Sequence, residues 1–184
     1  LLILDIFEEL FQPDGIILKN DSIFRELEGL KKEVKIVKGN LDAPVIIEEN
    51  GLKFSVDLLK GQKTGFFLDQ KENRILTTSL SKNRKVLDCF SYTGGFALAA
   101  AKGGAEEVLG VDESENAIKL AQENAQLNNF DNVTFQKQEV FNFLRKLNSA
   151  GEKFDMVILD PPAFVKSKEK LKEGIKGYKE INLQ

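Results

Sequence analysis

Val86-Leu-Asp-Cys-Phe-Ser-Tyr-Thr-Gly-Gly-Phe96 is the stretch that decides the fold of this 184-residue chain. A short apolar run, typical of a buried strand, ends near two adjacent glycines and leads into the alanine-rich residues 97–102. The pattern predicts a strand, a tight loop and a helix in succession. Glycines let a backbone approach a ligand closely, and the first turn of a helix offers unpaired N–H groups at the same place. We therefore expect a ligand-binding corner here.

Two acids indicate which ligand this corner suits. Asp88 lies in the strand, whereas a dinucleotide corner would read G-x-G-x-x-G and its pyrophosphate would be repelled by a carboxylate there. A carboxylate suits a ligand with a cationic end, such as S-adenosylmethionine, which carries an ammonium and a sulfonium. The next predicted strand ends in Asp112, at the spacing where an acid accepts both ribose hydroxyls. The alternative is that Asp112 only precedes a helix starting near Ser114, and we favour the ribose contact.

From Lys85 onward, strand and helix patterns alternate regularly, which predicts an α/β fold with a parallel sheet covered by helices on both faces. Ligands bind beyond the carboxyl ends of the strands in such sheets. Four acids fall there: Asp88, Asp112, Glu139 and Asp160. The predicted strands are 86–90, 108–112, 133–136 and 156–160, and the predicted helices are 96–102, 115–128, 140–147 and roughly 168–184.

The chain before this sheet predicts a small α+β domain over residues 1–60 and a connecting loop and helix over 61–84. In the small domain we expect a helix over 1–11, strands near 16–18, 34–37, 45–49 and 52–58, and either a helical turn or a loop over 21–30. The last two strands flank Asn50-Gly51, a strong hairpin signal. Asp69 is the predicted cap of a helix over 70–80.

Several classes of protein are disfavoured by composition. No apolar run approaches membrane-spanning length, and acids in residues 1–11 exclude a secretory signal. Cys89 is the only cysteine and there is no histidine, so we expect neither an internal disulfide nor a metal site. A net charge of −3 gives no global basic footprint for nucleic acid. Because the only methionine is Met156, we expect an internal fragment of a longer protein.

Three further segments bear on function, and two of them carry alternatives. Glu139 could accept from an adenine amino group, or equally interact with the start of the following helix. Asp160-Pro-Pro-Ala-Phe164 directs carbonyls and Phe164 toward the glycine loop, because two prolines fix an extended turn after the strand. The lysine-rich run 166–179 is either a solvated helix face or, as we predict, a surface in which Lys166, Lys168 and Lys170 contact RNA phosphates.

Taken together, the motifs GQKTGFFLDQKENR, LDCFSYTGGF, GVDESENAI, ILDPPAF and GYKEIN resemble those of the class I S-adenosylmethionine-dependent 23S rRNA large-subunit methyltransferases, in particular the cytosine carbon-5 branch. The resemblance implies a Rossmann-like catalytic domain over residues 85–184, partial in this chain, behind the small α+β domain. It also implies an N-terminal PUA domain and a C-terminal part of the catalytic domain that this chain lacks. The implied partner is ribosomal RNA, and the implied compartment is the cytoplasm.

The resemblance also implies roles for individual residues. S-adenosylmethionine would lie against a methionine-side loop, with Asp88 beneath it and Asp112 on the ribose. Glu139 stands where an aspartate is expected for the adenine. The loop residues would be Phe90, Tyr92, Thr93, Gly94 and Gly95, with Lys63 and Thr64 closing the site. The catalytic residues facing the methyl group and the base would be Asp160, Pro161, Pro162 and Phe164, with Tyr92 as a second stacking surface.

One departure concerns the chemistry. Carbon-5 of cytosine becomes nucleophilic only after a thiolate adds to carbon-6, and the family's cysteine would lie beyond Gln184. Cys89 is a poor substitute, since a small buried residue is expected within a strand. The rivals are methylation of a guanine or adenine nitrogen, and a binding module without turnover. A sheet without its last strands exposes an apolar edge, so we also expect marginal stability, or self-association as a homodimer.

Overall fold

The computed structural model describes residues 2–41, 44–165 and 168–183. The chain divides into two compact units. The first unit comprises Leu1–Ile47 and Ser55–Leu68, and the second unit comprises Glu48–Phe54 and Asp69–Gln184. The predicted domain boundaries at residues 60 and 84 stay predictions.

The first unit begins with helix α1 (Leu2–Phe11). An antiparallel pair follows, formed by β1 (Ile16–Asn20) and β2 (Glu33–Lys38). Between them lies the short helix α2 (Ile23–Leu27), so the segment that the sequence left open is helical. Its start is stabilised by Ser22, whose hydroxyl accepts from the Phe24 N–H.

The predicted hairpin forms where β3 (Val45–Glu49) pairs with β4 (Leu52–Val56). Its two turn residues, Asn50 and Gly51, have φ angles of 52° and 69°. Two positive φ angles are what a tight hairpin turn needs, and asparagine and glycine adopt them most readily. The turn chemistry of the sequence therefore specifies this connection.

The second unit contains four parallel strands in the order β7-β6-β5-β8. The strands are β5 (Lys85–Cys89), β6 (Glu107–Asp112), β7 (Val133–Lys137) and β8 (Met156–Leu159). The helices are α3 (Lys71–Leu80), α4 (Gly95–Lys102), α5 (Glu115–Leu127), α6 (Val140–Ala150) and α7 (Leu171–Asn182). The predicted α/β fold with a parallel sheet is confirmed.

Apolar side chains of β5 and β6 form the centre of the core, because these strands have neighbours on both edges. Val86 and Val108 are fully buried, and the alanines of α4 are also buried. A second cluster joins Leu87, Cys89 and Val111 to α6 and to Ile181 of α7. The central strands are therefore tightly packed in the core, and this packing fixes the positions of their carboxyl ends.

Capping residues set the boundaries of several helices. Ser114 caps α5 by accepting from the Ala117 N–H, and Gly151 ends α6 with a φ of 72°. The prediction that Asp69 caps α3 is wrong. A 3₁₀ turn (Leu68–Gln70) precedes the helix, its N-cap residue is Gln70, and no side chain caps it by a hydrogen bond.

Strand β8 forms one edge of the described sheet, and Val157 on it is 48% exposed. An edge strand presents unpaired backbone groups, so it is a place where further chain can pair. Among the described residues, no helix combines the length and apolar character needed to cross a membrane.

Candidate cofactor and active site

A glycine loop connects β5 to α4, as the sequence predicts. Phe90, Tyr92 and Gly94 have φ angles of 62°, 48° and 83°. A left-handed conformation is strained for the bulky residues Phe90 and Tyr92, so the surrounding structure must enforce it. Within the loop, the Gly94 N–H donates to the Ser91 carbonyl at 2.8 Å, and the Ser91 N–H donates to the Val111 carbonyl at 3.0 Å.

Tight packing explains why glycine is needed in this loop. A Cβ atom at Gly94 would lie 2.8 Å from the Phe135 ring, and one at Gly110 would lie 2.4 Å from the same ring. The buried Asn124 amide of α5 also donates to the Thr93 carbonyl at 3.0 Å. The loop is therefore held by contacts with β7 and α5.

Asp88 lies under this loop and is only 1% exposed. Its Oδ2 atom accepts from the Ala97 N–H at 3.0 Å, in the first turn of α4. Its Oδ1 atom has no hydrogen-bond partner among the described residues, and neither has the buried Ser91 Oγ. Burial raises the pKa of Asp88 to about 8; the Ala97 hydrogen bond opposes this shift, and the Asp160 and Asp112 carboxylates add to it.

Asp112 ends β6 and joins two elements of the site. Its Oδ2 atom accepts from the Tyr92 N–H and its Oδ1 atom from the Ser114 N–H, both at 2.9 Å. Each carboxylate oxygen accepts more than one hydrogen bond, so the half-buried group retains capacity for ribose hydroxyls. This geometry is thus compatible with both alternatives for Asp112, a ribose contact and a position at the start of α5.

Glu139 is the N-cap of α6, and both of its carboxylate oxygens are occupied. They accept from the Phe141 N–H at 3.1 Å and the Asn142 N–H at 2.8 Å. This is the helix-start alternative that the sequence left open. An adenine contact by the same carboxylate stays a prediction.

The segment after β8 carries the predicted catalytic residues. Asp160 and Pro162 are exposed, and Pro161 is half-buried. The Gln70 amide, at the start of α3, donates to Asp160 Oδ2 at 3.1 Å. Gln70 is not among the predicted site residues, although it lies inside the motif GQKTGFFLDQKENR.

Phe164 lies in a cluster of aromatic rings. Its centroid is 6.4 Å from that of Phe90, 5.5 Å from that of Phe141 and 4.7 Å from that of Tyr178. A Cβ atom at Gly177 would lie 3.2 Å from the Phe164 ring, so a glycine in α7 makes room for it. Phe164, Pro162 and Phe141 also line an open cleft of about 330 Å³. Stacking of Phe164 on a base stays a prediction.

Comparison with known proteins now decides the family. The model of the S-adenosylmethionine-dependent methyltransferase family matches residues 34–181. The chain belongs to this family. S-adenosylmethionine is therefore its cofactor.

Individual relatives of this methyltransferase support the assignment. Ribosomal RNA large subunit methyltransferase I of Tolumonas auensis is 44% identical over 185 residues, which cover 98% of this chain and 47% of that protein. The crystal structure of SMU.776 complexed with SAH is 30% identical, with a TM-score of 0.69 over 80% of this chain and 42% of that chain. A protein of Streptococcus mutans assigned as a SAM-dependent methyltransferase is 27% identical, with a TM-score of 0.77, over 95% of this chain and 47% of that chain. The chain thus spans about half the length of these relatives.

The corner fits the methyltransferase cofactor on two counts. Among the described residues, a buried carboxylate oxygen of Asp88 has no hydrogen-bond partner, and such an oxygen suits a cation. Asp112 lies at the end of the neighbouring strand, where it can accept from ribose hydroxyls.

Lys63 and Thr64 belong to the first unit of the methyltransferase chain. The Lys63 ammonium lies 4.6 Å from the Phe67 ring centroid, and the Thr64 hydroxyl donates to the Phe66 carbonyl at 3.1 Å. Gly65 has a φ of 87° and approaches the Asp57 carbonyl closely. These contacts show an ordered turn, and a role in closing the cofactor site stays a prediction.

Three other predictions concern metal, thiol and RNA. No group of three or more His, Cys, Asp or Glu in the described ranges could hold a metal ion. Cys89 is buried, and burial raises the pKa of its thiol to about 12. Of the three lysines predicted to contact phosphates, Lys166 lies outside the described residues. Lys168 and Lys170 are exposed in a 3₁₀ turn before α7.

Proposed function

We propose that this chain binds S-adenosylmethionine at the carboxyl edge of its sheet and belongs to an enzyme that methylates a base of 23S rRNA. The observation that carries the proposal is the placement of Asp88, Asp112 and Asp160 at the ends of three neighbouring parallel strands around one glycine loop. The rRNA substrate is supported by the relatives named ribosomal RNA large subunit methyltransferase I, which are 44% identical over almost the whole chain.

In this proposal, the loop from Phe90 to Gly95 holds the methionine part of the cofactor. Backbone N–H groups of the first turn of α4 favour negative charge and suit the cofactor carboxylate, while Asp88 suits its cationic groups. Asp112 holds the ribose. Glu139 lies near the adenine, and Lys63 and Thr64 help to close the site.

Asp160 and the two prolines after it would position the acceptor base. Methyl transfer needs the sulfonium, the methyl group and the acceptor in line, with water excluded, and this is chiefly a problem of alignment. RNA bases are accessible to such a site when they are unstacked, and Tyr92 and Phe164 are the proposed stacking surfaces.

The proposed acceptor atom is carbon-5 of a cytosine. That reaction needs a cysteine thiolate to add to carbon-6. After methylation, loss of the carbon-5 proton restores the double bond and expels the thiolate from carbon-6. Cys89 cannot supply the thiolate because it is buried and its pKa is about 12. The proposal therefore requires a nucleophile outside residues 1–184.

A second candidate is methylation of an exocyclic or ring nitrogen of guanine or adenine. The exposed carboxylate of Asp160, followed by the Pro161-Pro162 turn, favours it, since such a group can accept a hydrogen bond from an amine. A nitrogen acceptor needs no thiolate, so the burial of Cys89 raises no difficulty for this candidate.

Cofactor binding is tested by calorimetric titration of the chain with S-adenosylhomocysteine. We expect saturable binding that is lost in Asp112→Ala and retained in Asp131→Ala, which changes an exposed aspartate just ahead of β7. Circular dichroism establishes that each variant is folded. Equal binding by both variants, or none by the folded wild type, would contradict the proposed site.

The acceptor atom is tested with a protein that contains this chain and has the full length of its relatives. It is incubated with isotopically labelled cofactor and 23S rRNA. Mass spectrometry of the nucleosides distinguishes 5-methylcytidine from N-methylated purines. RNA containing 5-fluorocytidine would trap a covalent complex only if a thiolate adds to carbon-6. Cofactor binding without methyl transfer would instead favour a binding module.

The cytoplasm is the compartment that we propose with this function. The homodimer stays a prediction. The exposed Val157 on the edge strand β8 is consistent with self-association, and sedimentation of the chain over a range of concentrations would test it.

A further inference from the structure

Among the described residues, only one of the two oxygens of the buried Asp88 carboxyl group accepts a hydrogen bond. Oδ2 accepts from the Ala97 N–H, while Oδ1 has no partner among the described residues. An ionised carboxylate in this position has exchanged several hydrogen bonds to water for one to the backbone, which is costly. A neutral carboxyl group loses much less on burial.

The ionisable groups around Asp88 do not offset that cost. Asp112 from β6 and Asp160 after β8 add negative charge, and Cys89 next to it stays neutral. The part of α4 that packs on β5 is alanine-rich and contributes no charged side chain. Arg74 of α3 approaches the start of α4 but is bound at 2.7 Å and 3.0 Å to the two carboxylate oxygens of Glu49.

A second buried atom in the same corner has no hydrogen-bond partner in the part of the chain that the structure describes. The Ser91 hydroxyl is buried in the glycine loop and finds no hydrogen bond among the described residues. Buried polar atoms are normally paired, so two orphan atoms in a single loop-and-strand corner indicate that a polar ligand completes it. Since one of these atoms is a carboxylate oxygen, the missing group is a donor or a cation.

We propose that Asp88 holds a proton in the ligand-free protein and releases it to solvent when the cationic methionine end of S-adenosylmethionine binds. The inference rests on the proposed function and adds a linked proton to it. One O–H bond of Asp88 breaks and the proton passes to water or buffer. The carboxylate that remains neutralises the bound cation, so that no buried charge stays unpaired.

This coupling also gives the site a means to distinguish cofactor from product. Transfer of the methyl group converts a sulfonium into a neutral thioether, while the ammonium stays. If Asp88 faces the sulfonium, it regains its proton once the product has formed, and product binding is weakened relative to cofactor binding. If it faces the ammonium, both ligands release the proton equally.

The pH dependence follows from the two states of Asp88. Only the ionised form binds the cation well, and below pH 8 that form is a minority of the free protein. The observed affinity therefore rises with pH up to about 8 and then levels off. Between pH 6.5 and 8.5 the increase is about 25-fold, because the apparent affinity scales with the ionised fraction of Asp88.

The test is calorimetric titration of the whole chain at pH 7 with S-adenosylmethionine, in phosphate and in Tris, which differ in enthalpy of ionisation. A proton released by the protein appears as a heat that depends on the buffer. Binding of the ligand ammonium alone would draw protons in the opposite sense. The same titrations with S-adenosylhomocysteine identify which cation Asp88 faces.

Two variants test whether the released proton comes from Asp88 or from another group. In Asp88→Asn the buffer-dependent heat should vanish and the affinity should no longer change between pH 6.5 and 8.5. In Asp112→Asn the binding of S-adenosylmethionine should weaken, while Asp88 still releases a proton for each molecule bound. Should Asp88→Asn fail to fold, the wild-type heats in the two buffers decide alone.

Wild-type binding with the same heat in both buffers would overturn the inference and leave the proposed function standing. Proton release that persists in a folded Asp88→Asn would also overturn it. Absence of binding of either ligand to the folded wild type would overturn the proposed function, and this inference with it.

Discussion

The amide of Gln70 donates a hydrogen bond to the carboxylate of Asp160, with 3.1 Å between Nε2 and Oδ2. The Oε1 atom of Gln70 in turn accepts from the Asn73 amide at 2.6 Å. The start of α3 thus orients a carboxylate that follows β8, and it does so through a residue that is ninety positions earlier in the chain.

Loss of this contact should affect methyl transfer more than cofactor binding. For Gln70→Ala in a full-length protein containing this chain, we expect kcat to fall about fivefold, the equivalent of one hydrogen bond of about 1 kcal/mol. Affinity for S-adenosylhomocysteine should stay unchanged. Gln70→Glu should lower kcat further, because it places a second carboxylate beside Asp160. A fall in affinity with unchanged kcat would show that Gln70 acts on the cofactor instead.

Gly94→Ala should destabilise the second unit by about 2 to 4 kcal/mol. A left-handed φ costs a non-glycine residue about 1 kcal/mol, and overlap with Phe135 adds about 1 to 3 kcal/mol. The matched control is Gly151→Ala, whose φ is also left-handed but whose Cβ would meet nothing within 4 Å. Urea unfolding measures both, and equal losses would mean that packing against Phe135 contributes nothing.

Asp88 should make the empty protein less stable as the pH rises. Its pKa is about 8 in the folded chain against an ordinary value of 3.8, so between these values the folded state binds the extra proton. The unfolding free energy then falls with rising pH, by up to about 1.4 kcal/mol per unit. No histidine titrates in this range, which leaves the slope largely to Asp88. Urea unfolding at pH 5.5, 6.5 and 7.5 should show the slope in the wild type and a flat profile in Asp88→Asn; a slope retained by the variant would refute this.

The Cys89 thiol should be unreactive in the folded protein. It is buried and its pKa is raised to about 12, so it offers neither access nor thiolate at neutral pH. We expect a disulfide reagent to modify it only in urea, and Cys89→Ala to retain binding of S-adenosylhomocysteine. Rapid modification in the absence of denaturant would reopen Cys89 as a nucleophile.

Lys168 and Lys170 should contribute to RNA binding through phosphates. Replacing both by glutamine is expected to weaken binding of an rRNA fragment and to reduce the slope of log affinity against log salt by about 0.7 per lysine for single strands. Lys146→Gln, on the exposed side of α6, is the control. An unchanged slope in the double variant would assign this run to an ordinary solvated surface.

Much of the second unit could be predicted from the sequence. The spacing of apolar residues differs between its strands and its helices, and residues that favour helix ends separate several of them. Ser114 stands at a helix boundary that its chemistry favours. The predicted end of α6 at residue 147 fell three residues short of Ala150, which Gly151 follows. Asp69 failed as a cap because a 3₁₀ turn moved the helix start by a residue, which no local pattern indicates.

The parts of the site that the sequence did not reveal depend on contacts between distant segments. The left-handed φ of Phe90 and Tyr92 is imposed by the tertiary environment, since neither residue prefers it. The aromatic neighbours of Phe164 come from three separate elements. For Glu139 the sequence left two roles open, an adenine contact and an interaction with the helix start. The structure shows its carboxylate accepting hydrogen bonds from the first turn of α6.

The strand order implies a sequence of events during synthesis and folding. On β5, Val86 pairs with Val108 of β6 and with Met156 of β8, and the second pairing closes a chain segment about three times longer. Because closing longer segments is slower, β8 joins the sheet last. A nascent chain therefore completes the glycine loop and Asp112 while Asp160 is still being made. The corner proposed to bind the cofactor would then form before the residue proposed to face the base, and cofactor bound at that stage would stabilise the partly built sheet.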